Sequence, residues 1–271
     1  MPSDRCGLDE LLVPYSIPDA AVGRLVLGDG WARRWVTQWR LRDGELTACA
    51  VRDVQDAPFF ESRQIRRFSW RPTQRHRPGL GYMVATDRHH GAESLEEQKL
   101  LLAAEFAGGV AQVLSQPFRL LFESVDGPLA HIPDFLLFSS TGAHWLVDVR
   151  PRARIEDLDV VRFAAAARMA VSAGWRYTVV AEWRGHVCTV IDALSQRRRE
   201  LDDRLGLEPC LREVAGRGPV EFGDLVEATP WPVVARAHAI HLLWHRELGV
   251  DLGRPLGDGS VVWLAGAAGA G

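Results

Sequence analysis

Between His131 and Arg154 the chain reads HIPDFLLFSSTGAHWLVDVRPRAR, and few stretches leave a backbone so little choice. Two runs of strand-forming residues, Ile132 to Phe138 and Trp145 to Arg150, flank a Ser-Ser-Thr-Gly segment able to reverse the chain, so a β-hairpin is predicted. Side chains alternate faces along a strand, so Asp148 and Arg150 share one face and Trp145, Val147 and Val149 the other. With the turn centred on Thr141, Asp134 lies opposite Asp148 on the same face, and two carboxylates and a cation converge. Facing carboxylates repel unless a metal or cation sits between them, and a one-residue slip in register would undo the arrangement. The same residues also fit a hairpin with one solvated polar face and an ordinary surface ion pair.

Upstream, ESLEEQKLLLAAEF (Glu93 to Phe106) is rich in helix formers and stops at Gly108-Gly109. Leu101 and Ala104 fall on the same helical face as Glu97, which makes Glu97 a carboxylate on an apolar face: a rim residue, or one kept for binding. Phe118 to Glu123 reads as a strand, Asp157 to Ala173 as an alanine-rich helix closed by Gly174, and Arg176 to Ala181 as a β-branched strand. The order α-β-β-β-α-β predicts an α/β domain, a mixed sheet with flanking helices, over about residues 61–189.

The flanks are expected to differ. Residues 1–60 read as a β-rich lead-in, with strand-like runs at Gly23 to Leu27 and Ala32 to Leu41 broken by glycine turns. Residues 190–264 read as a linker helix followed by three helices (Leu211 to Gly216, Phe222 to Ala228, Val233 to Leu248) and a hairpin turning at Gly257-Asp258-Gly259. That is a winged-helix-like pattern, a class that binds DNA in some proteins and protein partners in others. On its third helix His238, His241 and His245 share a face, suited to a partner surface or, with further ligands, to a metal. The Arg197-Arg198-Arg199 run fits a solvated helix face. Residues 265–271 read as a disordered tail.

The net charge of −3 over 271 residues gives no global pull toward nucleic acid, so binding must come from a local patch. One exists: RQIRRFSWRPTQRHR carries Arg63, Arg66, Arg67, Arg71, Arg75 and Arg77 without an acid, a composition suited to a phosphate backbone or to a solvated, arginine-decorated loop. Cys6, Cys49, Cys188 and Cys210 lack CxxC spacing, which predicts neither a disulfide framework nor a zinc knot and fits a reducing cytoplasm. No apolar run reaches membrane-spanning length and no signal-peptide pattern opens the chain, so a soluble protein is expected. Lys99 is the only lysine, so an arginine at a position where relatives carry lysine is unsurprising.

Glu97, Pro133-Asp134 and Asp148-Val149-Arg150 together resemble the acidic core of PD-(D/E)xK nucleases. The ordered set ESLEE, Ser115-Gln116-Pro117-Phe118, HIPDF and LVDVRP resembles, over about Gly91 to Glu182, the TnsA-like endonuclease subunits of heteromeric transposases. The resemblance implies a restriction-endonuclease-like fold and a C-terminal winged-helix-like domain. It implies strand cleavage at transposon ends in double-stranded DNA, at the bacterial nucleoid, alongside a DDE-type transposase and an ATPase regulator. Glu97, Asp134 and Asp148 would be the ligands of Mg²⁺, with Mn²⁺ as the alternative ion, and Arg150 would stand where the family typically has lysine. An arginine stabilises negative charge but takes no proton from water, so a non-catalytic DNA-binding and assembly subunit is the competing expectation.

Overall fold

The computed structural model describes residues 1–66 and 79–266. In chain order the elements are α1 (Leu8–Leu11), β1 (Leu12–Pro14), α2 (Asp19–Val22), α3 (Trp31–Arg34), β2 (Val36–Leu41), β3 (Leu46–Ala50), β4 (Ser62–Arg63), β5 (Gly79–Met83) and β6 (Arg88–Ala92). Then come α4 (Leu95–Ala107), β7 (Val110–Ser115), β8 (Arg119–Ser124), β9 (Gly127–His131), β10 (Phe135–Ser139), β11 (His144–Val149), α5 (Asp157–Ser172) and β12 (Arg176–Trp183). The last elements are α6 (Val187–Ser195), α7 (Leu207–Gly216), β13 (Val220–Glu221), α8 (Phe222–Glu227), α9 (Pro232–Trp244), β14 (Leu248–Val250) and β15 (Val261–Leu264).

Contacts divide the chain into two units: Val13–Leu101 with Gly109–Glu182, and Met1–Leu12 with Leu102–Gly108 and the chain from Trp183 on. The first unit is a mixed α/β assembly. Its main sheet runs β1-β12-β11-β10-β7, with β10 antiparallel to both neighbours and β11 parallel to β12. Parallel neighbours cannot be joined by a tight turn, and α5 supplies the crossover. Phe135 to Phe138 and Leu146 to Val149 are buried without interruption, the pattern of central strands covered on both faces. Val161, Ala165 and Met169 of α5 join Trp35, Phe59, Phe118, Leu136 and Leu146 in one core. Phe59 is its hub, with ring centroids 5.2 Å from Trp39, 5.3 Å from Phe118 and 5.7 Å from Trp175, in the tilted and edge-on arrangements aromatic quadrupoles favour. A second sheet, β3-β2-β8-β9 with β4 on β2, is antiparallel, and β5 and β6 form a separate hairpin.

Between α4 and α5 the chain forms five strands where three were expected. β7 starts directly after Gly108 and Gly109, both at positive φ, so the stop signal of the helix is also the start of a strand. β9 contains Pro128, which an edge strand tolerates, and β9 is the edge of its sheet. The run expected as one strand from Ala32 to Leu41 is split: α3 takes its start and β2 begins at Val36. Of Gly23 to Leu27, Leu25 makes one isolated bridge to Ser124.

In the second unit, α7, α8 and α9 are followed by the β14–β15 hairpin, and β13 completes a three-stranded antiparallel sheet in the order β13-β15-β14. Leu211, Phe222, Leu225, Leu242, Leu243 and Val262 are fully or almost fully buried there. Ser3 donates its amide to Val250 (2.9 Å) and Leu252 donates to Met1 (2.9 Å), which ties the first residues to β14. Among the described residues no helix is long and apolar enough to cross a membrane.

Candidate metal centre

The start of α4 sets the first carboxylate. Ser94 Oγ accepts the Glu97 amide (3.2 Å) and donates to Glu97 Oε1 (2.8 Å), while Glu97 Oε2 accepts the Glu93 amide (2.7 Å). This is the reciprocal bonding of an S-x-x-E helix start, shifted by one residue on its return arm. Glu97 is thereby only 7% exposed, its carboxylate turned back on the helix end.

The hairpin sets the other two. Phe135 pairs with Val147, Leu136 with Leu146, Leu137 with Trp145 and Phe138 with His144, and Ser139 donates to the Ala143 carbonyl at 2.8 Å. The turn therefore centres on Thr141, and continuing the register sets Asp134 against Asp148. Asp134 Oδ2 accepts the Val149 amide at 2.7 Å. Asp148, 2% exposed, accepts at Oδ2 from the Tyr177 hydroxyl (2.6 Å) and from His131 Nε2 (2.9 Å), with Oδ1 3.0 Å from the same nitrogen. Parallel pairing of Leu146 with Tyr177 and Asp148 with Val179 puts Tyr177 two residues along on the same face as Asp148.

Burial pushes the Asp134 carboxyl well above its ordinary range, and the charges of Glu97 and Asp148 push it further, against the pull of the Val149 amide. Glu97 is raised as well, by burial first; the Glu93 amide, Ser94 and Arg66 oppose this, while the Glu93 carboxylate adds to it. Tyr177 is raised by burial and by Asp148. Glu97 and Asp148 thus both act on a buried Asp134, and a carboxylate crowded by others in a site poor in solvent is the condition under which a cation is welcome. Their donor set is all hard oxygen, which suits Mg²⁺, and Asp134 Oδ1 takes no hydrogen bond from the described residues. Among the described residues, however, the group of three whose ligand atoms fall within 4.8 Å of one another is Asp203, Glu208 and His238. Gathering Glu97, Asp134 and Asp148 on one ion calls for side-chain rotation.

Arg150 does not join them. Its Nη2 lies 3.1 Å from Asp159 Oδ2 and its Nε donates to the Arg154 carbonyl (3.1 Å), with the side chain 41% exposed. Arg66 does reach the network: Nη2 bonds Glu93 Oε2 (2.6 Å) and Nε donates to Gln116 Oε1 (3.2 Å). Arg63 is exposed on β4; Arg67, Arg71, Arg75 and Arg77 lie outside the described residues.

Gln116 adjoins the site and is unusual in three ways. It is 2% exposed, it holds φ at 47°, which is uncommon for a residue other than glycine, and its buried Nε2 has no partner among the described residues. An unsatisfied buried donor costs about 1–3 kcal/mol. The backbone around it is pinned: its amide donates to the Asp134 carbonyl (2.7 Å) and its carbonyl accepts the Ile65 amide (3.0 Å).

The second unit holds the rival cluster. Asp203 caps α7, its two oxygens accepting the Leu207 and Glu208 amides at 2.8 Å each. His238 Nδ1 lies 3.1 Å from Glu208 Oε1 and Nε2 3.9 Å from Asp203, and Arg212 pairs with Glu208 at 3.0 Å. Burial alone would raise Asp203, yet the two amides, His238 and Arg212 hold it below its ordinary value. Capping and ion pairing account for every one of these contacts. His241 bonds the Arg197 carbonyl (2.8 Å), and its ring lies 4.3 Å from that of His245. A cleft lined by Asp251, Arg254, Ser260 and Trp263 holds none of the acids named above.

His131, Tyr177 and Gln116 carry no role in the sequence reading, although His131 and Gln116 stand inside the HIPDF and Ser-Gln-Pro-Phe runs. Tyr177 was legible only as one position of a β-branched strand. No family model matches this sequence, and no curated protein does.

Proposed function

We propose that the chain is a metal-dependent DNA endonuclease subunit of a TnsA-like heteromeric transposase, cutting strands at transposon ends. The observation that carries this reading is the hairpin register that sets Asp134 against Asp148, with Glu97 at the start of α4 close enough to raise the Asp134 carboxyl. The mixed sheet beneath them is compatible with a restriction-endonuclease-like fold. The α7–α8–α9 and β13–β15–β14 arrangement is compatible with a winged helix. Its third helix opens on exposed Trp231, Val233 and Val234, and Arg236 is paired with Asp258 at 2.6 Å. That surface suits contact with the DDE-type transposase or the ATPase regulator better than contact with a phosphate backbone.

In phosphodiester hydrolysis a water oxygen bonds to phosphorus, one P–O ester bond breaks, and the departing oxygen takes up a proton, leaving one hydroxyl and one phosphate end. Glu97, Asp134 and Asp148 would hold Mg²⁺, which supplies Lewis acidity toward the phosphoryl oxygen and the attacking water. The chain's own part is to fix the ligands: Ser94 and the Glu93 amide orient Glu97, the Val149 amide orients Asp134, and Tyr177 with His131 orients Asp148 while leaving Oδ1 the less encumbered oxygen. Such supports commonly alter metal affinity 10–100-fold when removed.

One observation favours the second reading, a non-catalytic DNA-binding and assembly subunit: Arg150 is engaged by Asp159 and the Arg154 carbonyl, away from the acids. Mg²⁺-dependent nicking of transposon-end DNA by the purified chain with its partner subunits separates the two. Loss of nicking in Asp134→Ala with DNA and partner binding intact supports the enzyme; the same transposition products from variant and parent support the assembly subunit.

A further inference from the structure

We infer that Arg66, and not Arg150, is the cation that meets the phosphate at this site, and that Gln116 is the residue that positions it; the inference rests on the nuclease reading above. Two of the three guanidinium nitrogens of Arg66 are committed, Nε to Gln116 Oε1 and Nη2 to Glu93 Oε2. Nη1 has no protein partner among the described residues, and the side chain is half exposed. A guanidinium held at two corners presents the third in a fixed direction, which a flexible lysine could not do.

The anchors lead directly to the acids. Glu93, which binds Nη2, gives its amide to Glu97 Oε2. Gln116, which binds Nε, gives its own amide to the carbonyl of Asp134. Because Arg66 Nε–H can only donate, the Gln116 side-chain oxygen must face it, and Nε2 is left as a buried donor without a partner among the described residues. A left-handed glutamine, sealed from solvent and incompletely bonded, is a poor choice for stability alone; strain of this kind is retained where surrounding structure fixes a group for use. Here the group fixed is a permanently charged donor beside Glu93 and Glu97, carboxylates that themselves repel a phosphodiester. Arg150, whose guanidinium is turned to Asp159 and the Arg154 carbonyl, is free of that task.

The chemistry named is electrostatic: Arg66 donates to a non-bridging phosphoryl oxygen and offsets the charge that grows on it as the water oxygen adds. The test is steady-state nicking of transposon-end DNA by the full chain with its partners and Mg²⁺, with Mn²⁺ affinity and thermal melting measured on each variant. Arg66→Ala is expected to lower kcat about 100-fold or more with KM for DNA and Mn²⁺ affinity within about threefold, Arg66→Lys to recover part of the loss, and Arg150→Ala to stay within about fivefold of the parent. Gln116→Ala, with Arg66 intact, is expected to fall between the parent and Arg66→Ala in kcat. An Arg66→Ala loss confined to KM, no loss at all, or a larger loss in Arg150→Ala overturns the assignment. Nicking that survives Asp134→Ala, or a parent that does not nick, removes the nuclease reading beneath it.

Discussion

Tyr177→Phe removes one oxygen and leaves the ring, so its effect isolates the hydrogen bond to Asp148. That bond is short (2.6 Å) and ends on a carboxylate only 2% exposed. Hydrogen bonds to charged groups contribute about 1.5–3 kcal/mol. His131 remains on the carboxylate, so Asp148 is not stranded, and about 2 kcal/mol is the expected loss. At roughly 2–4 °C per kcal/mol for a chain of this size, melting should fall by about 4–8 °C. The assay is thermal and urea unfolding of the parent, Tyr177→Phe, Asp148→Ala and the double variant. With Asp148 gone the Tyr177 hydroxyl is a donor in search of a partner, so removing it there should be neutral or stabilising. An equal loss in both backgrounds would refute the reasoning, because the bond could not then be what Tyr177 contributes.

Two further outcomes follow from the same residues. Asp134 keeps its proton in the fold above its ordinary value of 3.8; a folded state that binds the extra proton loses stability as pH climbs from that value through the raised pKa and levels off above it. Asp134→Asn should therefore flatten the decline in urea midpoint as pH rises from about 4 with chelator present, and an unchanged slope would mean that Asp134 is not its source. Ser94→Ala should cost about 1 kcal/mol through loss of the helix cap, read by urea denaturation, and a neutral result would deny Ser94 its bonds to Glu97.

The hairpin was legible because period-two alternation and a turn-forming segment leave one good register, and the observed pairing keeps Asp134 opposite Asp148. The helix carrying Glu97 was legible from its composition, and its start could have been read more finely, since Ser94-Leu95-Glu96-Glu97 is a helix-start signature that assigns Glu97 a local partner. What the sequence hid is tertiary. Nothing near Asp148 announces Tyr177 on β12 or His131 on β9, because those bonds exist only once the strands are assembled. Alternation predicts one face for Asp148 and Arg150, yet a long side chain just beyond a strand end goes where its partner is, and Asp159 on α5 supplied one. β7 and β9 were missed for opposite reasons: one has no loop before it, and the other carries a proline that reads as a break.

Calorimetric titration of Mn²⁺ into the metal-free chain tests Glu97, Asp134 and Asp148 as the metal centre, with Asp134→Ala and His238→Ala as the decisive variants. The parent and His238→Ala are expected to bind the ion, and Asp134→Ala to lose it. Binding that survives Asp134→Ala but disappears in His238→Ala would move the metal to the Asp203, Glu208 and His238 cluster and leave the hairpin carboxylates without one.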